Sequence, residues 1–434
     1  MPLHSSGPLP KIYNEEMKNQ ALYLVHDEVD YHLVELVIGI TTILLYIYAM
    51  SSLPSIITSQ TDLEQALSII AKGDVFAIDT EFLREKTYYP QLCLIQIAGN
   101  GIHFAIDPLV EGLSLQGLWD LLADERITKV FHAGRQDIEI FYHLTGDVPK
   151  GIFDSQIAAM VCGLGDQAGY DKLVHHFLGH TIDKSSRFTD WSKRPLSDKQ
   201  LSYALDDVIH LEKIYPMLCE VLEKENKLEW IKDEVKVIAA LETYAIDPEQ
   251  TYKRIKLRTN KPLILNRLKH LAAFREIECQ KRDLPRGRFL KDETLMDLAA
   301  TGPKTAEAIS KIRGLGSQKN GWLTGQIISI IKQADSADKA SWPKMPERKK
   351  TERAPAAVLE MLRVLLKHVC EEVAVAPRLI ASASDLELLA VSDDKSQPVL
   401  QGWRYEVFGK KALAMKAGKI GMALNKGEMR FFDL

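Results

Sequence analysis

From about Ser51 to Glu225 the chain alternates short β-rich runs with helical stretches. DVFAIDTEF, QLCLIQIA, GIHFAID and TKVFHA are each bounded by Gly, Asn, Asp or Pro. The first three follow one another closely, as in an antiparallel meander, and later runs are interleaved with helices. The pattern predicts an α/β domain, a mixed sheet flanked by helices. Beyond Glu225 the period changes. LNRLKHLAAFREIECQKRD reads as a long amphipathic helix ending at LPRGRFLKD, with ETLMDLAA, GPKTAEAISKIRGL and GWLTGQIISIIKQ as shorter helices after it. A polar, Pro- and Lys-rich stretch at 336–354 reads as a linker. APAAVLEMLRVLLKHVCEEVAV, SASDLELLAVSD and QGWRYEVFGKKALAMKAG then repeat the plan of one long helix and shorter ones. The expected organisation is a catalytic-type domain at 51–225, an all-α module at 226–335, and a second, divergent one at 355–434.

Residues 1–50 differ from the rest. The apolar run Leu36–Met50 follows an acidic stretch with Asp27, Glu28, Asp30 and Glu35. It falls short of the roughly 20 residues needed to cross a bilayer and lacks the basic flank of a signal peptide. We expect an upstream start wrongly assigned ahead of Met50, with a membrane anchor as the competing reading.

At 434 residues there is room for about three domains. A 46% hydrophobic and 26% charged composition excludes a wholly disordered chain. Five widely spaced cysteines with no C-x-x-C support neither a disulfide framework nor a zinc site, and they suit a reducing cytoplasm. The net charge of −4 conceals an asymmetry: residues 249–353 carry 24 Lys and Arg against 12 Asp and Glu. Such a segment is the footprint of a phosphate-binding surface, or else a set of solvated basic helix faces.

Asp79 and Glu81 stand at i and i+2 on one face at the end of the strand VFAIDTEF. Two acids so placed are costly without a positive partner, and a divalent cation is the natural one. Asp137, in KVFHAGRQDIEIF, falls in the first turn of a helix, where the dipole also favours a carboxylate. In YALDDV, Tyr203 and Asp207 are one helical turn apart. Projected at about 100° per residue, Asp207 borders the apolar stripe of Leu201, Ala204, Leu205, Val208 and Leu211, while Asp206 turns to solvent.

The order D-x-E, H-x-G-x-x-D and Y-x-x-x-D, at Asp79/Glu81, His132 to Asp137 and Tyr203/Asp207, resembles the three exonuclease motifs of the DEDDy group. TYYPQLCLIQIA and DWSKRPLS are similar to the ribonuclease D family, and the helical modules resemble its HRDC domains, the first more closely than the second. The resemblance covers nearly everything after residue 50. It implies a ribonuclease-H-like 3′→5′ exoribonuclease, in which Asp79, Glu81, Asp137 and Asp207 hold two divalent ions, Mg²⁺ or else Mn²⁺, with Asp79 bridging. Tyr203 would orient the attacking water; a phenol with a pKa near 10 is a poor base at neutral pH. The products would be nucleoside 5′-monophosphates and the partner RNA, with tRNA precursors as the family-based substrate. No stable protein partner and no membrane are expected. Lesser candidates are His132, which could equally be a structural strand-end histidine; Phe82 and Leu83, which could pack on the terminal base or in the core; and Arg194, a phosphate contact or a solvated loop arginine. A proofreading-type DNA exonuclease and a binding-only protein with a decayed site are the rival readings. The absence of a polymerase-sized region and the presence of all four acids with Tyr203 weigh against them.

Overall fold

The computed structural model describes residues 55–256, 259–315, 321–344 and 354–434; the expectations for residues 1–50 lie outside these. Six strands form one sheet in the order β1-β4-β3-β2-β5-β6. They are β1 (Ile56–Ile57), β2 (Val75–Leu83), β3 (Gln91–Gly99), β4 (Ile102–Ile106), β5 (Thr128–Phe131) and β6 (Ile152–Asp154). β2, β3 and β4 are the expected antiparallel meander, and β5 and β6 add in parallel beside β2. β1 and β6 were not anticipated. With two and three residues they are too short for a period-2 signal, and their neighbours in the sheet define them.

Helices α1 (Gln60–Ile70), α2 (Gln116–Ala123), α3 (Arg135–Thr145), α4 (Ser155–Val161), α5 (Tyr170–Leu178) and α6 (Asp198–Lys224) complete the α/β domain. α6 begins at a capping box, in which Ser197 and Gln200 satisfy each other's backbone N–H groups. Its apolar stripe is buried as the projection requires, with Ala204, Leu205, Val208 and Leu211 all inside. α7 (Leu228–Ala239) lies past the expected boundary, yet Ile231 and Val235 pack into the core formed by α4, α5 and α6. α7 thus shares the core of the α/β domain.

The helical units that follow share a plan. α8 (Pro262–Arg282) ends at Asp283, φ 48°, and is followed by the one-turn α9 (Arg286–Phe289) and by α10 (Asp292–Thr301), α11 (Ala306–Ser310) and α12 (Gly321–Ser336). α13 (Ala356–Glu372) likewise leads to a left-handed residue, Ala374 at φ 46°, then to the one-turn α14 (Pro377–Ile380) and to α15 (Ala383–Val391). The second unit departs from the helical expectation at its end. After α16 (Gly402–Arg404), a π-helical turn and α17 (Lys410–Lys416), the chain forms a hairpin of β7 (Ile420–Asn425) and β8 (Glu428–Asp433). Gly427 at φ 88° supplies the turn, and alternation of Ile420, Met422 and Leu424 marks the strand.

Both units dock on the α/β domain. The Tyr88 and Tyr89 N–H groups donate to Asp283 Oδ1 at 2.9 and 3.0 Å, and the Tyr88 hydroxyl bonds the fully buried Glu276. Arg286 Nε donates to Glu276 at 2.7 Å. On the other side, Trp230 of α7 stacks on Trp403 at 4.5 Å, and the buried Lys227 ammonium donates to the Val161, Val373 and Ala374 carbonyls. Among the described residues no helix is long and apolar enough to cross a membrane. All five cysteines are free.

Candidate active site

The three motifs meet in one cleft of about 460 Å³ over the carboxyl ends of β2 and β5. Asp79, Glu81, Phe82, His132, Asp137, Tyr203 and Asp207 all line it. Asp79, Glu81 and Asp207 each present a carboxylate oxygen within 4.8 Å of the others. Asp137 stands beside them and accepts a hydrogen bond from Thr80 Oγ1, so β2 itself holds the acid that α3 contributes. Beyond Glu81 the β2–β3 register shifts, with Cys93 as the extra residue between Leu92 and Leu94. Such a bulge re-aims the end of a strand.

The turn that delivers Asp137 has no slack. Ala133 sits at φ 55°, and a Cβ on Gly134 would come within 2.5 Å of Phe131 Cβ. Both residues' N–H groups donate to Asp154, which also caps α4 through the Gln156 and Ile157 N–H groups. Asp154 was missed from the sequence, although FDS ahead of an apolar run is an N-cap signal.

Asp207 and Tyr203 share a hydrogen bond. The Tyr170 hydroxyl bonds the Asp207 backbone carbonyl and fixes that turn of α6. Asp206 lies outside the cleft, although it is partly buried rather than fully solvated.

Electrostatically the cleft is short of positive charge. Burial, then Asp137, Asp207 and Glu81, hold Asp79 well above the usual carboxylate range. Glu81 is pushed up to about 9 by burial and by Asp207 and Asp137, against which Arg187 acts. Asp207 is raised by burial and Asp206, with Tyr203 and Arg187 opposing. Asp137 is raised chiefly by burial. Four buried hard-oxygen donors, each with its pKa raised, fit a divalent cation, which would relieve all of them at once. Burial, then the neighbouring acids, raises the Tyr203 phenol further above neutrality.

The lesser candidates divide. His132 forms part of the wall, with Nδ1 2.9 Å from Ser155 Oγ, and burial lowers its pKa to about 4, so it is neutral. Leu83 does not face the cleft; it packs with Cys93, Leu94 and Trp191. Arg194 is corrected outright. Its Nε and Nη2 bind Asp107 at 2.5 and 2.7 Å, and its remaining donors reach the Cys93, Trp191 and Lys193 carbonyls. No donor is left for a phosphate, and the residue ties its loop to β3. The cleft takes its cations from the preceding loop instead, where Lys184 and Arg187 line it beside Phe188. Nothing local in the sequence distinguishes Arg187 from other loop arginines.

This arrangement defines a carboxylate-dependent nuclease with appended helical modules, and comparison with known proteins agrees. Residues 54–223 match the 3′-5′ exonuclease family model, and residues 264–331 match the HRDC domain. The chain is 43% identical over 371 residues to ribonuclease D of Gluconacetobacter diazotrophicus, covering 85% of this chain and 94% of that protein. It is 44% identical over 377 residues to that of Zymomonas mobilis subsp. mobilis, covering 86% and 97%. The crystal structure of Escherichia coli RNase D, an exoribonuclease involved in structured RNA processing, superimposes with a TM-score of 0.71 at 27% identity, over 83% of this chain and 98% of that one. The chain belongs to the ribonuclease D family and is a 3′–5′ exoribonuclease.

Proposed function

We propose that the protein trims RNA 3′ ends one nucleotide at a time, releasing nucleoside 5′-monophosphates, with tRNA precursors in the cytoplasm as its substrates. One observation carries the reading: acids from three separate motifs converge on a single cleft, with three ligand oxygens within 4.8 Å of one another. Asp79, Glu81, Asp137 and Asp207 would hold two divalent ions, Mg²⁺ or in its place Mn²⁺. When bound, these ions supply Lewis-acid activation of a water and charge stabilisation at the scissile phosphodiester.

The chain's own residues do the rest. Tyr203 orients the attacking water through its hydroxyl, since its raised pKa rules out a base at neutral pH. Arg187 faces Glu81 and Asp207 and offsets the charge that accumulates on the phosphate. Phe82 lines the cleft where the terminal base would stack. The unit at 355–434 is a second HRDC-like module by its repeated plan, and neither a protein partner nor a membrane enters the reaction. The test is to incubate purified protein with Mg²⁺ and matched 3′-extended tRNA, unstructured RNA and single-stranded DNA, with products resolved at single-nucleotide steps. Stepwise release of monophosphates from the RNAs is expected. Preference for DNA would transfer the reading to a proofreading-type nuclease.

A further inference from the structure

The loop between α5 and α6 carries Phe188, which lines the carboxylate cleft and is nevertheless 90% exposed. A lone apolar side chain in water is ordinary on a protein surface. Three further observations set this one apart.

The ring is held out by a fixed turn. Ser186 and Trp191, on either side of it, are buried. The Arg187 N–H donates to the Lys184 carbonyl at 3.2 Å, and the Thr189 N–H and hydroxyl donate to the Ser186 carbonyl at 3.2 and 2.8 Å. Gln200 Nε2, in the first turn of α6, donates to Thr189 Oγ1 at 3.2 Å. The backbone on both sides of Phe188 is therefore tied down, and a ring placed in water by such a turn gains burial only when something covers it.

The ring also has a cation beside it. The Arg187 guanidinium lies 5.4 Å from the Phe188 centroid, within cation–π range, and the same group acts on Glu81 and Asp207. Phe188 is thus adjacent in sequence and in space to the residue that faces the acids.

The third observation is the contrast with Phe82. Phe82 directly follows Glu81 on β2 and is partly buried, whereas Phe188 is exposed. A 3′ end threaded into the cleft places its terminal nucleotide deepest, and the scissile phosphate joins that nucleotide to the one before it. The deeper ring beside the acids suits the terminal base, and the ring nearer solvent suits the preceding base. Every base has a π face, so such a contact selects an unpaired nucleotide and not a sequence.

We propose that Phe188 stacks on the base of the nucleotide preceding the 3′-terminal one, gripping the RNA on the side of the scissile phosphate that remains after release. The proposal rests on the exoribonuclease reading. It makes two unpaired nucleotides, and not one, the requirement at the 3′ end.

The test uses the full chain with Mg²⁺ and four otherwise identical single-stranded RNAs: unmodified, or abasic at the first, second or fifth nucleotide from the 3′ end. kcat/KM is read for release of the terminal nucleotide. For wild-type protein, loss of the second base should lower it about tenfold or more, and loss of the fifth should change nothing. Phe188→Ala should lower it by a similar factor on unmodified RNA and should no longer distinguish that RNA from the one abasic at the second position. Phe188→Trp, which keeps a stacking face, should behave as wild type. Thermal melting checks that both variants are folded. Phe188→Ala as active as wild type on unmodified RNA would overturn the proposal while leaving the enzyme reading intact. So would a Phe188→Ala loss that persists in full on RNA lacking the second base, or that disappears only when the terminal base is missing. Wild-type protein inert on all four RNAs would overturn the exoribonuclease reading, and this contact with it.

Discussion

Asp154 Oδ2 accepts the Gly134 N–H at 2.9 Å, and through that bond a residue of the β6–α4 junction holds the turn that delivers Asp137. Asp154→Ala leaves four backbone N–H groups without their acceptor. A lost helix cap costs ~0.5–2 kcal/mol and an unmet buried donor ~1–3 kcal/mol, so destabilisation of about 2–4 kcal/mol is expected in urea unfolding. Turnover should fall as Asp137 shifts. Full turnover in the folded variant would show that Ala133 and Gly134 hold the turn unaided.

The crowding of carboxylates makes metal-free stability fall with rising pH. A carboxyl whose folded pKa is raised contributes stability that is fully present below its unfolded value and is lost as pH rises through the folded value. For Glu81 that window runs from the ordinary 4.5 to about 9, and Asp79, Asp137 and Asp207 shift in the same direction. In EDTA the melting temperature should drop between pH 5 and pH 8. Mg²⁺ should restore it at pH 8 and change little at pH 5. A flat metal-free profile would mean the acids are not forced together.

Asp206 and Asp207 are adjacent, yet only Asp207 lines the cleft. Asp207→Asn should abolish nucleotide release while leaving a folded protein, and Asp206→Asn should be nearly silent. Single-nucleotide product analysis of the two variants settles the assignment; reversed outcomes would displace Asp207 from the ligand set.

Tyr203→Phe removes a hydroxyl that bonds Asp207 and leaves the ring against Trp191, 6.2 Å between centroids. Turnover should fall about 10²- to 10⁴-fold with RNA affinity unchanged, the range for a lost positioning or proton-transfer group. Steady-state kinetics with a separate binding titration read this directly, and unchanged turnover would remove Tyr203 from the reaction.

Period and spacing went far with this chain. The long strands β2, β3 and β4, the helix carrying Tyr203 and Asp207, and the long helices of both modules follow from residues a few positions apart. Illegible features are those whose cause lies elsewhere in the chain. β6 has three residues and exists because β5 is beside it. Arg194 and Arg187 lie seven residues apart in one loop region, and only folding reveals that Asp107 takes the first while the cleft receives the second. The β7–β8 hairpin is the exception. Its alternation is present in IGMALN, but the expectation of a second helical module obscured it.

Lys227 has a consequence for how this protein can be divided. Its ammonium is shared among carbonyls of α4's end and of the segment after α13, on either side of a stretch of well over a hundred residues. A nuclease fragment ending near α7 would leave that cation only Glu225 and the Val161 carbonyl as partners and would bare Trp230 to water. Excising a soluble catalytic core therefore calls for new residues at both positions, because the C-terminal unit serves as part of the nuclease's own wall.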